Sequence, residues 1–100
     1  MPQFESPFSG LANDRKLSHS ELLRAIRFSI AAEFEAVQFY SQLAESTDNK
    51  LAIAVLKEIS DEERVHVGEF NRLLLELSPD EEKFYANGAK EVEEKIKKLK

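Results

Sequence analysis

The sequence predicts an all-α protein, an antiparallel hairpin of two long helices followed by short C-terminal helices, with two copies closing into a four-helix bundle. Three observations predict it. Apolar residues recur at spacings of three and four along two segments of roughly 28 residues each. Glycine is absent from residues 11 to 67, which leaves few turns for a sheet of short strands. The segment between the two periodic stretches is too short for anything but an antiparallel connection. One hundred residues also hold only one small domain.

Residues 1–17 carry two prolines, one glycine, Phe4 and Phe8. They read as an extended arm, either a loose tail or a segment docking on a partner subunit. The first helix begins after Ser18. Ser18-His19-Ser20-Glu21 fits a capping box, in which the serine hydroxyl takes the third backbone N–H and Glu21 reaches back to the first. His19 within it reads as a surface residue. Leu22, Ile26, Ser29, Glu33, Val37, Tyr40 and Ala44 then form one helical stripe. A second stripe runs through Phe28, Ala32, Glu35, Phe39 and Leu43. Ser46-Thr47-Asp48-Asn49 supplies turn and cap chemistry.

The second helix is expected from about Leu51 to Leu77, with Ala52, Val55, Leu56, Ile59, Glu63, His66, Phe70, Leu73, Leu74 and Leu77 on one side. It stops at Ser78, because proline disfavours helix in the residue before it. Ser78-Pro79-Asp80-Glu81 opens a third, short helix, and Asn87-Gly88 is expected to close it. Residues 89–100 place Val92, Ile96 and Leu99 on one side of a thin amphipathic helix with Glu–Lys pairs four apart. The expected organisation is thus an arm at 1–17, the hairpin at 18–86, and an amphipathic tail at 87–100. The first helix is apolar on more than one face, since Ile30, Ala31 and Phe34 point away from the Glu33 stripe. A lone hairpin would leave that surface exposed, so association is expected.

Composition narrows function. Fourteen basic against 19 acidic side chains give a net charge of −5, which argues against a nucleic-acid partner. The sequence contains no cysteine, so disulfides, thiolate zinc, iron–sulfur clusters and thiol catalysis are excluded. No apolar run approaches the roughly 20 residues of a membrane span. No signal peptide is visible, so the expected compartment is the cytosol.

Three ionisable residues stand where apolar ones belong. Glu33 lies between Ile26 and Val37; Glu63 and His66 lie between Ile59 and Phe70. A buried carboxylate without a partner is costly. Glu63-Arg64-Val65-His66 is Glu-x-x-His, whose i, i+3 spacing puts both side chains on one helix face, about 60° apart. With a carboxylate from the facing helix they make an oxygen–nitrogen site suited to iron or manganese. By itself the motif is a weak signal, more often explained by Glu63 paired to an arginine and His66 bonded in a core. The company of Glu33 strengthens it. Glu33 lies about 15 residues before the turn and Glu63 about 15 after it, so an antiparallel hairpin sets them at one height. Di-iron carboxylate bundles take a Glu from each of two helices and a Glu-x-x-His from each of two others. This chain supplies half of that set, so two copies related by a two-fold axis are expected to complete it. Tyr40, seven residues after Glu33, shares its face, either as a core tyrosine or as a donor to a metal-held carboxylate. Glu62, four residues before His66, offers a carboxylate that would orient the ring, or else belongs to a solvated face.

The run Glu33-Phe34-Glu35-Ala36-Val37-Gln38-Phe39-Tyr40, followed by Asp61-Glu62-Glu63-Arg64-Val65-His66, resembles the encapsulated ferritins, half-length ferritin-like proteins packaged in encapsulin shells or fused to the shell protein. The similarity covers about residues 18–85. It implies a ferritin-like four-helix bundle formed by a dimer, a ring-shaped homodecamer of such dimers, an encapsulin shell as partner and a place inside that nanocompartment. It also implies ferroxidase activity, with Glu33, Glu63 and His66 from both chains holding two iron ions and Tyr40 beside them; Mn, Zn or Ca could substitute. Glu35 matches an acidic residue of the family's secondary access site. Ala32 replaces a companion acid there, and Phe39 stands where the family has Trp. No encapsulation peptide is evident at the C-terminus, which suits a domain of a fusion or a trimmed tail. Two other functions are open to the same residues: a rubrerythrin-like peroxide reductase, which would lack the usual cysteine-bound iron partner in this chain, and a metal-free helical oligomerisation module.

Overall fold

A computed structural model describes residues 14–100. Most of the expected N-terminal arm, with Phe4 and Phe8, therefore lies outside the described residues. Three α-helices make up the described part: α1 (His19–Glu45), α2 (Lys50–Leu77) and α3 (Pro79–Leu99).

The expected capping box forms. Ser18 Oγ accepts from the Glu21 N–H at 3.2 Å, and the Ser18 N–H donates to Glu21 Oε1 at 2.9 Å. The Arg15 guanidinium then grips both oxygens of Glu21, at 2.8 and 2.7 Å. At the other end of α1, Asn49 caps α2 by accepting from the Ala52 N–H at 2.9 Å, and Thr47 Oγ1 accepts from the Asn49 N–H. α2 thus starts at Lys50, one residue ahead of the expected Leu51.

Antiparallel pairing is recorded by three contacts. The His19 ring nitrogen Nε2 donates to the Leu77 carbonyl at 3.0 Å, Glu33 approaches His66, and Ser41 Oγ meets Ser60 Oγ at 2.9 Å. His19 is exposed, as expected, but it also ties the start of α1 to the end of α2. Ile26, Val37 and Ala44 are buried, all members of the Glu33 stripe, and α2 contributes buried Leu74 and Ser60. The burial of Ser60 does not follow from the apolar stripe of α2. Its small side chain permits close approach, and its hydroxyl is satisfied by Ser41 and the Val37 carbonyl.

α3 corrects one expectation. Asn87-Gly88 does not end a short helix; a single helix runs from Pro79 to Leu99. A glycine inside a helix costs about 1 kcal/mol but does not stop it. Continuing also avoids the expense of nucleating a second helix, and the Glu–Lys pairs beyond Gly88 favour propagation. Pro79 at the first turn with Asp80, Glu81 and Glu82 suits the helix start, although Ser78 makes no side-chain cap bond. α3 holds no buried residue. It is tied to α1 by the Arg27–Glu81 ion pair, and Tyr85 donates to the same carboxylate.

The radius of gyration is 17.5 Å. A compact 100-residue domain would measure about 13 Å. Phe34, Phe39, Val65 and Phe84 are among the large apolar side chains left exposed. The protomer thus carries the unburied apolar surface that its doubly apolar first helix implied.

Candidate metal centre

The middle of the hairpin brings together the three ionisable residues that interrupt its apolar stripes. α1 presents Glu33 one turn before buried Val37. α2 presents Glu63 and His66 one turn apart on the facing side. His66 Nδ1 lies 3.6 Å from Glu33 Oε1 and 3.5 Å from Glu63 Oε2. One ligand atom from each of the three lies within 4.8 Å of the others. These separations exceed hydrogen-bond length, so the groups converge without closing on one another.

Burial grades across the trio. Side-chain exposure is 20% for Glu33, 19% for Glu63 and 47% for His66. Glu33 Oε2 is sealed from solvent and has no hydrogen-bond partner among the described residues. An ionised oxygen in that condition is costly unless a cation or proton meets it. Two carboxylates and an imidazole are hard and borderline donors, a set that fits iron or manganese and gives no thiolate for soft metals. The residues present therefore fit a transition-metal ion.

The other sequence candidates stand outside the trio. Tyr40 is half-buried and its ring packs on Phe39, with centroids 5.5 Å apart at a 55° tilt. Among the described residues no hydrogen bond joins its hydroxyl to Glu33, Glu63 or His66. Glu35, two residues beyond Glu33, is half-buried and faces elsewhere on α1. Glu62 is exposed and makes no hydrogen bond to His66. Sequence reasoning missed Glu69. The cavity at the trio is lined by Glu33, His66, Glu69 and Phe70. The signal was available, since Glu69 stands three residues after His66 and extends the Glu63–His66 spacing by one more turn. A second groove, nearer the turn, is floored by Ser41, Ala44 and Ser60; Lys57 and Arg64 line it together with Glu45 and Asp61, so its charges offset.

Comparison with known proteins agrees with this architecture. The family model described as Rubrerythrin matches residues 24–100. A Myxococcus xanthus protein named encapsulin nanocompartment cargo protein EncC is 40% identical over 97 residues, which are 97% of this chain and 70% of that protein. A ferritin-like–encapsulin shell fusion protein of Pyrococcus furiosus is 35% identical over 81 residues, 81% of this chain but only 24% of the fusion. The crystal structure of the encapsulated ferritin domain from Pyrococcus furiosus shares the fold with a TM-score of 0.81 and 32% identity, over 92% of this chain and 93% of that one. With the converging trio on a helical hairpin, these similarities show that the chain belongs to the rubrerythrin-type ferritin-like proteins and, among them, to the encapsulated ferritin family.

Proposed function

We propose that this protein is a ferroxidase that oxidises Fe(II) to Fe(III) and feeds iron storage within an encapsulin nanocompartment. The observation that carries the reading is the convergence of Glu33, Glu63 and His66, with a sealed Glu33 oxygen lacking any partner. One chain gives two carboxylates and one imidazole, half the donor set of a di-iron bundle. Two copies would supply the rest, and the exposed Phe34, Phe39 and Val65 are surface that such a dimer would cover. The relatives' names, one a cargo protein and one a shell fusion, support the encapsulin as partner. A ring of dimers, such as a homodecamer, extends the same reading.

Iron is the substrate. Two Fe(II) ions each give up one electron, and dioxygen takes both electrons and two protons to become hydrogen peroxide. Glu33 and Glu63 hold the ions through oxygen donors, which favour the more highly charged Fe(III). His66 turns Nδ1 toward both carboxylates and so presents that nitrogen as its ligand atom. Protons compete for the same lone pairs, so iron affinity falls in acid. Tyr40 is assigned a supporting hydroxyl in the assembled site, and paired Glu35 carboxylates a weak cation site between dimers.

An anaerobic Fe(II) titration followed by molecular size, and by absorbance on admitting air, tests the reading. Iron should promote the dimer and air should bring the ferric absorbance. Chelation should shift the protein toward monomers, because four facing carboxylates in a closed interface repel. Glu33→Ala, Glu63→Ala and His66→Ala should each abolish rapid oxidation, since each removes two ligands from the symmetric site. Parental oxidation by Glu63→Ala would overturn the ligand assignment.

The Rubrerythrin family match favours one second reading, a peroxide reductase on the same ligands. Peroxide-dependent turnover supported by an external reductase, with slow oxidation by dioxygen, would select it.

A further inference from the structure

The cavity at the metal centre has four walls, of which two belong to the ligand trio. Phe70 is apolar and supplies no donor. Glu69 is the fourth, a carboxylate that the trio does not use. α2 sets it three residues beyond His66, about 60° round the axis and about 4.5 Å along it. Side chains in a helix lean toward its N-terminus, so the Glu69 side chain leans back over the turn that carries His66. Exposure differs among the three polar residues that share the cavity. Glu69 is exposed, His66 is 47% exposed, Glu33 is 20% exposed, and Glu33 Oε2 is sealed. One cavity thus places a solvated carboxylate beside an imidazole and a largely buried carboxylate.

We infer that Glu69 is a receiving ligand for hydrated divalent cations, which it passes inward to His66 and Glu33. The inference rests on reading the trio as an Fe(II) site. A hydrated divalent ion is a hard cation that exchanges water for carboxylate oxygen stepwise. An exposed carboxylate can meet such an ion while both keep most of their water, so little desolvation opposes the encounter. A single carboxylate also holds the ion weakly, which lets it move on to the richer donor set inside. Negative charge at the mouth raises the local cation concentration, and that benefit is lost as salt screens it. Glu62, one turn on the other side of His66, lines neither groove described above and is not assigned this role.

The test is Glu69→Gln, which keeps shape and removes charge at an exposed position, with Glu58→Gln as an exposed control on the same helix. Initial rates of iron oxidation are measured across Fe(II) concentration at low and moderate ionic strength. In the Glu69→Gln variant the Fe(II) concentration for half-maximal rate should rise about three- to tenfold at low salt, with the saturated rate within about twofold of the parent. The salt dependence of the parental half-saturation should flatten in the variant. Unchanged half-saturation, an equal shift in Glu58→Gln, or loss of the saturated rate would each overturn the assignment, the last by making Glu69 a primary ligand. Anaerobic Mn(II) binding, read by electron paramagnetic resonance, separates this inference from the ferroxidase reading. Glu69→Gln should lose weakly held Mn(II) and keep the tight site. A parent that binds Mn(II) yet oxidises no iron would defeat ferroxidase activity alone, and the Mn(II) count would still judge Glu69. A parent that binds no Mn(II) would overturn both.

Discussion

The hairpin and α3 are both long, charged, amphipathic helical segments, and they are stabilised in different ways. Every buried side chain of the described residues belongs to α1 or α2: Ile26, Val37, Ala44, Ser60 and Leu74. α3 has none, although Val92, Ile96 and Leu99 make a regular apolar edge. Helix formation and core formation are therefore separate achievements here. α1 and α2 bury a stripe because each finds the other. α3 is helical through Glu–Lys spacing, an acidic first turn and a proline at its start, and it is anchored at one end by Arg27 and Glu81. The candidate metal centre follows the same division, since Glu33, Glu63 and His66 all lie on the paired helices.

The largest expected effect breaks the hairpin directly. Leu74 is 1% exposed. Leu74→Ala should destabilise the protein by about 2–5 kcal/mol, through lost burial and the cavity left behind. Leu99→Ala, at the free end of α3, should stay within about 0.5 kcal/mol. Denaturant midpoints of the two variants measure the contrast. A costly Leu99→Ala would mean that α3 packs against another surface in solution.

Most of this division was legible in the sequence. The Ser18 capping box, the Asn49 cap and the stripe through Ile26, Val37 and Ala44 are local patterns, and local patterns fixed α1 and the start of α2. Glu33, Glu63 and His66 were legible because charge on an apolar stripe is conspicuous and the turn lies midway between them. Three features were not. Asn87-Gly88 looks like a helix end, but whether a glycine stops a helix depends on the helix formers beyond it. Ser60 looks like any polar helix residue until the close approach of Val37 and Ser41 buries it. Glu69 looks like surface charge until a cavity joins it to His66 and Glu33. Each of the last two depends on which neighbour arrives from another helix, and spacing along one helix does not say that.

An intermediate effect uses the two helical glycines. A Cβ added at Gly68 in α2 or Gly88 in α3 meets open space. Alanine at either should strengthen its helix by about 0.5–1 kcal/mol. The readouts should differ. Gly68→Ala should raise the global unfolding midpoint, because α2 shares the hairpin's core. Gly88→Ala should add helicity with little change in that midpoint, because α3 contributes no buried surface. Equal shifts in midpoint would show α3 to be coupled to the core.

The smallest effect concerns the carboxylate at the start of each region. Glu21 is held at about 2, below its ordinary 4.5, first by the Arg15 guanidinium and then by the Ser18 N–H. Glu81 is also lowered, first by the Tyr85 hydroxyl and then by Arg27. A carboxyl whose folded pKa lies below its unfolded one adds stability that is complete above the unfolded value. That contribution disappears as pH falls through the folded value. For Glu21 the window runs from about pH 4.5 down to about 2. Both carboxylates are partly exposed, Glu21 at 31% and Glu81 at 16%, so salt should shrink the effect, more at Glu21. In metal-free protein at low ionic strength, acid should therefore fray the start of α1 through Glu21 and loosen the α3 anchor through Glu81. Glu21→Gln should flatten the acid-side decline of the thermal midpoint. Glu81→Gln should leave that decline in place while making the scattering-derived radius of gyration insensitive to acid below the ordinary carboxylate range. If Glu81→Gln instead removed the decline, the anchor of α3 would be part of the hairpin's stability, and the two regions would fold as one.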